Sequence, residues 1–307
     1  MTTTTAIPDA TPSPRRILVL ASLLAVYVIW GSTYLALRWV VEVFPAMLAA
    51  GARYLVAGVA LLAIGRMRGA AWPSRATWIR AIAPGALLFV VGNGLVSLAE
   101  REVSSSQAAI VCASMPLVTV VFGVFIGERP RPLEILGLLV GFSGVIVMTA
   151  VDVGHFSASS VLLLFAPVGW ALGSLIARKR SLPSGPTGAA LPMIWGGVLA
   201  LALGAVTGER PVTGSSTPKA VFAFVYLIVF GSMIAFTAYA YLLRNARPSI
   251  ATSYAYVNPV VATLLGLFVG GEKLGAHVWL GGALVTLGVA AITVRQRPSD
   301  PSPTRRR

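Results

Sequence analysis

Residues 116–128 read PLVTVVFGVFIGE and residues 259–272 read PVVATLLGLFVGGE, the same apolar string with one residue inserted. Past that insertion Gly137, Gly144 and Thr149 fall on Gly281, Gly288 and Thr293. A second match lies upstream of each string, where Trp30 precedes Arg38 by the same interval as Trp170 precedes Arg178. Internal repetition of this kind marks a duplicated structural unit.

Composition says what the unit is made of. Of 307 residues, 56% are hydrophobic and 11% charged, against about a quarter charged in an ordinary soluble domain. A membrane-spanning helix takes about 20 largely apolar residues. Runs of that kind cover roughly 17–37, 44–64, 79–98, 105–126, 133–150, 158–177, 188–207, 219–242, 249–270 and 274–294, which leaves no room for a soluble catalytic domain. The Trp30 and Trp170 runs are the first and sixth, and the longer match equates the fourth and fifth with the ninth and tenth. Five helices per unit is an odd number, so the second unit enters the membrane in the opposite sense. The expected fold is an all-α integral membrane protein with ten transmembrane helices as two inverted five-helix repeats, residues 17–150 and 157–294. The tails, 1–16 and 295–307, are too polar to offset their ordering entropy and are expected to be disordered.

The net charge of +14 is explained by topology. With the N-terminus inside, the inner side carries Arg15, Arg16, Arg66, Arg68, Arg75, Arg80, Arg129, Arg131, Arg178, Lys179, Arg180, Arg244, Arg247, Arg295, Arg297, Arg305, Arg306 and Arg307, 18 in all. The outer side carries Arg38, Arg101, Arg210, Lys219 and Lys273, and Arg53 lies within a span. That bias puts both termini in the cytoplasm. It also leaves no separate basic patch to suggest nucleic acid as a partner. The first run follows Arg15 and Arg16 but shows no small-residue cleavage site, so it is expected to be a retained helix.

Several chemistries are disfavoured by what is missing. Cys112 is the only cysteine, which excludes an intrachain disulfide and a cysteine-rich metal site. All ten acidic residues, Glu100, Glu128, Glu134 and Glu209 among them, fall at span edges, in loops or in tails, and His155 and His277 lie near span ends. No midplane carboxylate or histidine relay of the proton-pump type is evident. The spans hold no nucleophile–base pair or metal-ligand set, and the chain has no phosphate-cradling motif. No cofactor or metal is expected, and the chain is not expected to be an enzyme.

Polar side chains inside hydrocarbon are costly unless they pair or line a wet cavity. Mid-span polar residues such as Gln107 in the fourth span are therefore the ones to question. The substrate-cavity candidates among them are Trp30, Ser32 and Tyr34 in the first span, Asn93 in the third, Ser114 in the fourth, Trp170 in the sixth, and Tyr254, Tyr256 and Asn258 in the ninth. Each tyrosine has an alternative reading as an interfacial anchor or interhelical brace. Arg53 lies eight residues past Pro45, about 12 Å deep at 1.5 Å per residue. It either contacts an anion or braces helix-end carbonyls. Pro116 and Pro259 remove backbone donors at matched positions and are either gate kinks or packing features. The glycine pairs Gly137 with Gly141, and Gly281 or Gly282 beyond Gly271, are expected to permit close helix contact.

The strings Ile29-Trp-Gly-Ser-Thr-Tyr34, Val91-Gly-Asn-Gly94, Tyr239-Ala-Tyr-Leu-Leu-Arg-Asn245 and Ala251-Thr-Ser-Tyr-Ala-Tyr-Val-Asn-Pro-Val-Val261 with Gly270-Gly-Glu272 together resemble the drug/metabolite transporter superfamily. The resemblance is to its EamA type and within that to the YedA-like exporters, and it covers residues 17 to 294. It implies a ten-helix fold around a central cavity bounded by the first, third and fourth helices and their second-half counterparts. It also implies export of metabolites, amino acids or drugs. The expected protein is an inner-membrane, multi-pass transporter working by alternating access on a small-molecule substrate. Its surroundings are the lipid bilayer, and its state is monomer or homodimer. The alternatives are a channel-like or lipid-translocating protein on the same scaffold, and an intramembrane enzyme.

Overall fold

A computed structural model describes residues 14–99, 102, 111–149, 158–180, 182–183, 185–210, 217–270 and 276–293. The expected tails apart from residues 14–16, and Gln107, Glu100, His155, Gly271 and Glu272, lie outside these. Regular structure among the described residues is helical throughout. In chain order the helices are α1 (Pro14–Val41), α2 (Ala46–Met67), α3 (Arg75–Ala99), α4 (Met115–Phe125), α5 (Pro132–Thr149), α6 (Phe165–Lys179), α7 (Pro186–Val206), α8 (Pro218–Asn245), α9 (Tyr254–Gly270) and α10 (Ala276–Thr293). Short helices, Ala158–Leu163 and Pro248–Thr252, precede α6 and α9. Six helices (α1, α2, α3, α6 with its lead-in, α7 and α8) are long and apolar enough to cross a membrane. Three shorter apolar helices, at Val111–Phe125, Pro132–Val147 and Trp279–Ile292, fall in expected spans.

Helix ends follow local chemistry. Ser74 caps α3 by accepting from the Thr77 amide at 3.3 Å, and Thr217 caps α8 by accepting from Ala220 at 3.2 Å. The first-turn amides of α2 are satisfied from far along the chain, because Glu209 accepts from Met47 and Leu48 at 3.3 and 2.9 Å. Gly69, at φ 83, takes the left-handed position after α2 that a side chain would strain.

Two helix pairs pack with the most extensive contact, α2 with α7 and α5 with α10. Glycines set the spacing of both. A Cβ on Gly51 would come within 2.7 Å of the Leu201 backbone nitrogen, and one on Gly197 within 2.6 Å of that of Leu55. In the second pair the close approaches are Gly137 to the Gly288 carbonyl, 2.8 Å, and Gly144 to the Val285 nitrogen, 2.7 Å. Lipid supplies no hydrophobic force between helices, so close backbone approach and its dispersion contacts hold such pairs together. Of the two expected alternatives, Gly281 is at the contact, its carbonyl near Gly144, and Gly282 faces open space.

The remaining contacts are reciprocal. α1 packs on α8 and α9, while α6 packs on α3 and α4. Both α3 and α8 change from α to π winding in mid-helix, over Ala86–Gly94 and Leu227–Ile234. Large apolar side chains such as Leu24, Val59, Leu139, Phe222 and Leu287 are exposed on the outside of the bundle, where hydrocarbon rather than water accommodates them.

Candidate substrate cavity

The two matched tryptophans meet at the centre. Their ring centroids are 5.4 Å apart, edge to face. Trp30 donates from its indole nitrogen to the Gly231 carbonyl at 2.9 Å, within the π-wound stretch of α8. Trp170 packs over Gly92 in the π-wound stretch of α3, where a Cβ would come within 2.5 Å of the indole Cδ1. Each tryptophan thus rests on a glycine in the π turn of a helix from the other half of the chain. Widened turns of this type recur at functional sites because they displace side chains and loosen carbonyls. Asn93 shows the consequence, its Nδ2 donating to the Leu88 carbonyl five residues back at 2.9 Å.

Phe236, Tyr239 and Tyr254 complete an aromatic cluster with the tryptophans. Tyr254 stands 4.5 Å from Trp30, and Phe236 lies nearly parallel to Trp170 at 5.6 Å. On one side of this cluster is a cavity with about 80 Å³ of water-accessible space. One water needs roughly 10–15 Å³ by that measure, so the space exceeds a packing void. Six sequence candidates line it: Trp30, Tyr34, Asn93, Trp170, Tyr254 and Asn258. Arg53 lines it as well, with Thr33, Leu37, Val96, Cys112 and Phe236 among the rest. Leu37, Arg53 and Val96 put part of its wall in the half of the bundle where α1 ends and α2 begins. A second, smaller cavity, bordered by Leu88, Arg178, Tyr239 and Arg244, lies on the other side of Phe236.

Three candidates are elsewhere, each for a local reason. Ser32 bonds to the Ile29 carbonyl at 2.7 Å and to the Tyr226 hydroxyl at 2.5 Å, joining α1 to α8. Ser114 donates to the Val111 carbonyl at 2.6 Å, at the turn that opens α4. Tyr256 is fully buried, its ring against Gly141 and its hydroxyl on the Leu138 carbonyl at 3.0 Å, bracing α9 to α5. Tyr256→Phe is expected to destabilise the protein by about 1 kcal/mol and leave solute flux unchanged, measured by thermal melting beside reconstituted transport. Pro116 stands in the first turn of α4, where a missing donor is harmless, whereas Pro259 is inside α9.

The opposite face of the bundle is tied by ion pairs. Arg178 reaches Glu128 at 2.9 Å, and Arg247 reaches Glu134 at 2.8 Å and the Arg129 carbonyl at 3.1 Å. Glu134 also accepts from Ser249 and from the Arg131 amide. Sequence reasoning placed these carboxylates at span edges without pairing them. The usable signal was a carboxylate just inside a span, which requires a cation.

An apolar-skinned helical bundle holding an aromatic-lined cavity in its core is the build of a polytopic membrane transport protein. A family model, the EamA-like transporter family, matches residues 17–150 and 158–294, and the chain belongs to that family. It is 40% identical over 277 residues to the inner membrane transporter YedA of Escherichia coli K12, covering 89% of this chain and 90% of that one. It is 24% identical over 300 residues to the transporter YvbV of Bacillus subtilis, covering 93% and 94%. A crystal structure of a protein 22% identical in sequence superposes with a TM-score of 0.77 over 91% of this chain and 98% of that one. The protein is a multi-pass inner-membrane transporter of small molecules.

Proposed function

We propose that this transporter is an alternating-access exporter of small amphipathic metabolites, amino acids or drugs. In this reading it has ten membrane helices in two inverted repeats, 17–150 and 157–294, with both termini in the cytoplasm. The observation that carries the reading is the central tryptophan pair, each member seated on the other half's π-wound helix beside a cavity lying toward one side. Two similar halves that exchange conformations open such a site alternately to either side. Under the positive-inside topology the cavity lies toward the outer side, and the Arg178–Glu128 and Arg247–Glu134 pairs tie helix ends together on the cytoplasmic side. Aromatic walls suit solutes with an apolar or aromatic body.

Counterflow in proteoliposomes tests the reading. Saturable exchange of one solute class is expected in the native chain. A loss of tenfold or more is expected in Trp30→Phe, which keeps the ring but drops the bond to Gly231, and in Asn258→Ala. Trp30→Ala removes a buried anchor worth about 3–5 kcal/mol, so it is informative only with a folding check. Non-saturating flux without counterflow would mean a channel.

A further inference from the structure

Arg53 is a guanidinium buried inside the bundle. It is 7% exposed, and no ion pair involving it occurs among the described residues. Its Nε donates to Ser232 Oγ at 2.7 Å, and its Cζ lies 4.8 Å from the centre of the Tyr54 ring. Gly231 makes room for it, since a Cβ there would stand 2.9 Å from Nη2. These contacts hold the plane of the guanidinium but, among the described residues, engage one of its five N–H donors. A structural brace would turn its Nη groups onto backbone carbonyls. No such bond is formed among the described residues, and the residue borders the cavity instead.

The rest of the cavity wall sharpens the point. Arg53 is the only charged side chain among the described residues that line it. Asn258, on the same wall, is 3% exposed, and its Oδ1 has no hydrogen-bond partner among the described residues. A buried polar atom without a partner is rare and costly. A buried cation without a counter-charge is costlier still, unless something bound supplies the charge. The fork of guanidinium donors matches a carboxylate bidentately, and the surrounding rings suit an aromatic or branched apolar body.

We infer that Arg53 is the anion anchor of this cavity, and that the solutes carried are organic carboxylates with an aromatic or apolar body rather than cationic drugs. The inference rests on the carrier reading of the same cavity and adds the substrate class. A cation entering this cavity would meet the fixed charge of Arg53, which no described wall residue offsets. A neutral solute would leave Arg53 unpaired.

A near-isosteric series tests the inference on the full chain: 3-phenylpropionate, phenylalanine, 3-phenylpropanol and phenethylamine, as anion, zwitterion, neutral and cation. Binding is read by scintillation proximity with labelled 3-phenylpropionate and competition by the others, and flux by counterflow. The two carboxylates are expected to compete at concentrations at least tenfold below the alcohol, with the amine inactive. Arg53→Gln should remove that preference, and Arg53→Lys should retain part of it. Ser232→Ala, which leaves the charge in place but frees Nε, should weaken carboxylate binding several-fold. If Arg53→Gln fails to fold, the series on the native chain still decides, because equal competition by amine and carboxylate overturns the inference. So does absence of saturable carboxylate binding at millimolar concentration, or equal competition by inorganic phosphate or chloride. Carboxylate binding without counterflow would keep the anchor and remove the carrier. Counterflow of the amine or alcohol that is indifferent to Arg53→Gln would keep the carrier and remove the anchor.

Discussion

Gly288→Leu is expected to abolish the folded protein, while Gly282→Leu, less than two turns earlier in the same helix, is expected to be tolerated. At Gly288 a Cβ would stand 2.5 Å from the Gly141 nitrogen and 2.6 Å from the Gly137 carbonyl oxygen, both backbone atoms of α5. Backbone cannot rotate aside as a long side chain can. α5 and α10 would have to part along their whole contact, which is among the two most extensive in the bundle. Overpacking costs about 1–3 kcal/mol where neighbours can adjust, and more is expected here. At Gly282 nothing lies within 4 Å of the added carbon, so leucine there projects into open space at the apolar surface. Monodisperse yield and melting temperature in detergent distinguish the two. Equal behaviour would mean that α5 and α10 do not meet as described.

Arg247→Ala is expected to shift the conformational balance away from the state described here. The carboxylate of Glu134 is only 8% exposed, while Arg247 is 36% exposed, so the pair lies between a buried and a surface ion pair. Removing one partner of a buried pair costs about 3–5 kcal/mol and an exposed pair contributes about 0–1. A value near 2 kcal/mol is reasonable for this geometry, which corresponds to about a 30-fold change in population. Glu134 would keep the Ser249 hydroxyl and the Arg131 amide but no positive charge from Arg247. Cys112, the sole cysteine, lines the cavity lying toward the opposite side. Its rate of modification by a membrane-impermeant maleimide therefore reports how often that side is open. The rate is expected to fall about tenfold or more in Arg247→Ala and to recover in the Glu134→Gln/Arg247→Ala double variant, where no buried charge is stranded. An unchanged rate would reduce the pair to a staple between loops.

Much of the cavity was legible in the sequence because hydrocarbon penalises stray polarity. Trp30, Asn93, Trp170, Tyr254 and Asn258 stood out in apolar runs, and the cavity collects them. Ser32, Ser114 and Tyr256 stood out equally, yet each is satisfied by a backbone carbonyl or a neighbouring helix. Polarity alone does not distinguish a side chain that bonds its own helix from one that faces water. The apolar wall, Leu37, Val96 and Phe236 among it, carried no signal, since such residues are equally at home against lipid. Nor did the π turns at Ala86–Gly94 and Leu227–Ile234. Their shared marks are a glycine and a tryptophan from the other half, and only the glycine is local.

By itself the sequence determined a helical, membrane-embedded chain with a duplicated pattern and a charge too deep to be idle. These follow from apolar run length, residue spacing and composition, which are properties of the chain taken a few turns at a time. The tertiary structure alone decided which partner each polar group receives. Arg53 is bound to Ser232, 179 residues away, Trp30 to Gly231, and Glu134 to Arg247. The physical reason is that a polar group buried in a bilayer can bond only to whatever group the packing of helices brings within about 3 Å. That packing is set by glycine surfaces distributed over the whole chain, not by the neighbours of the group in sequence.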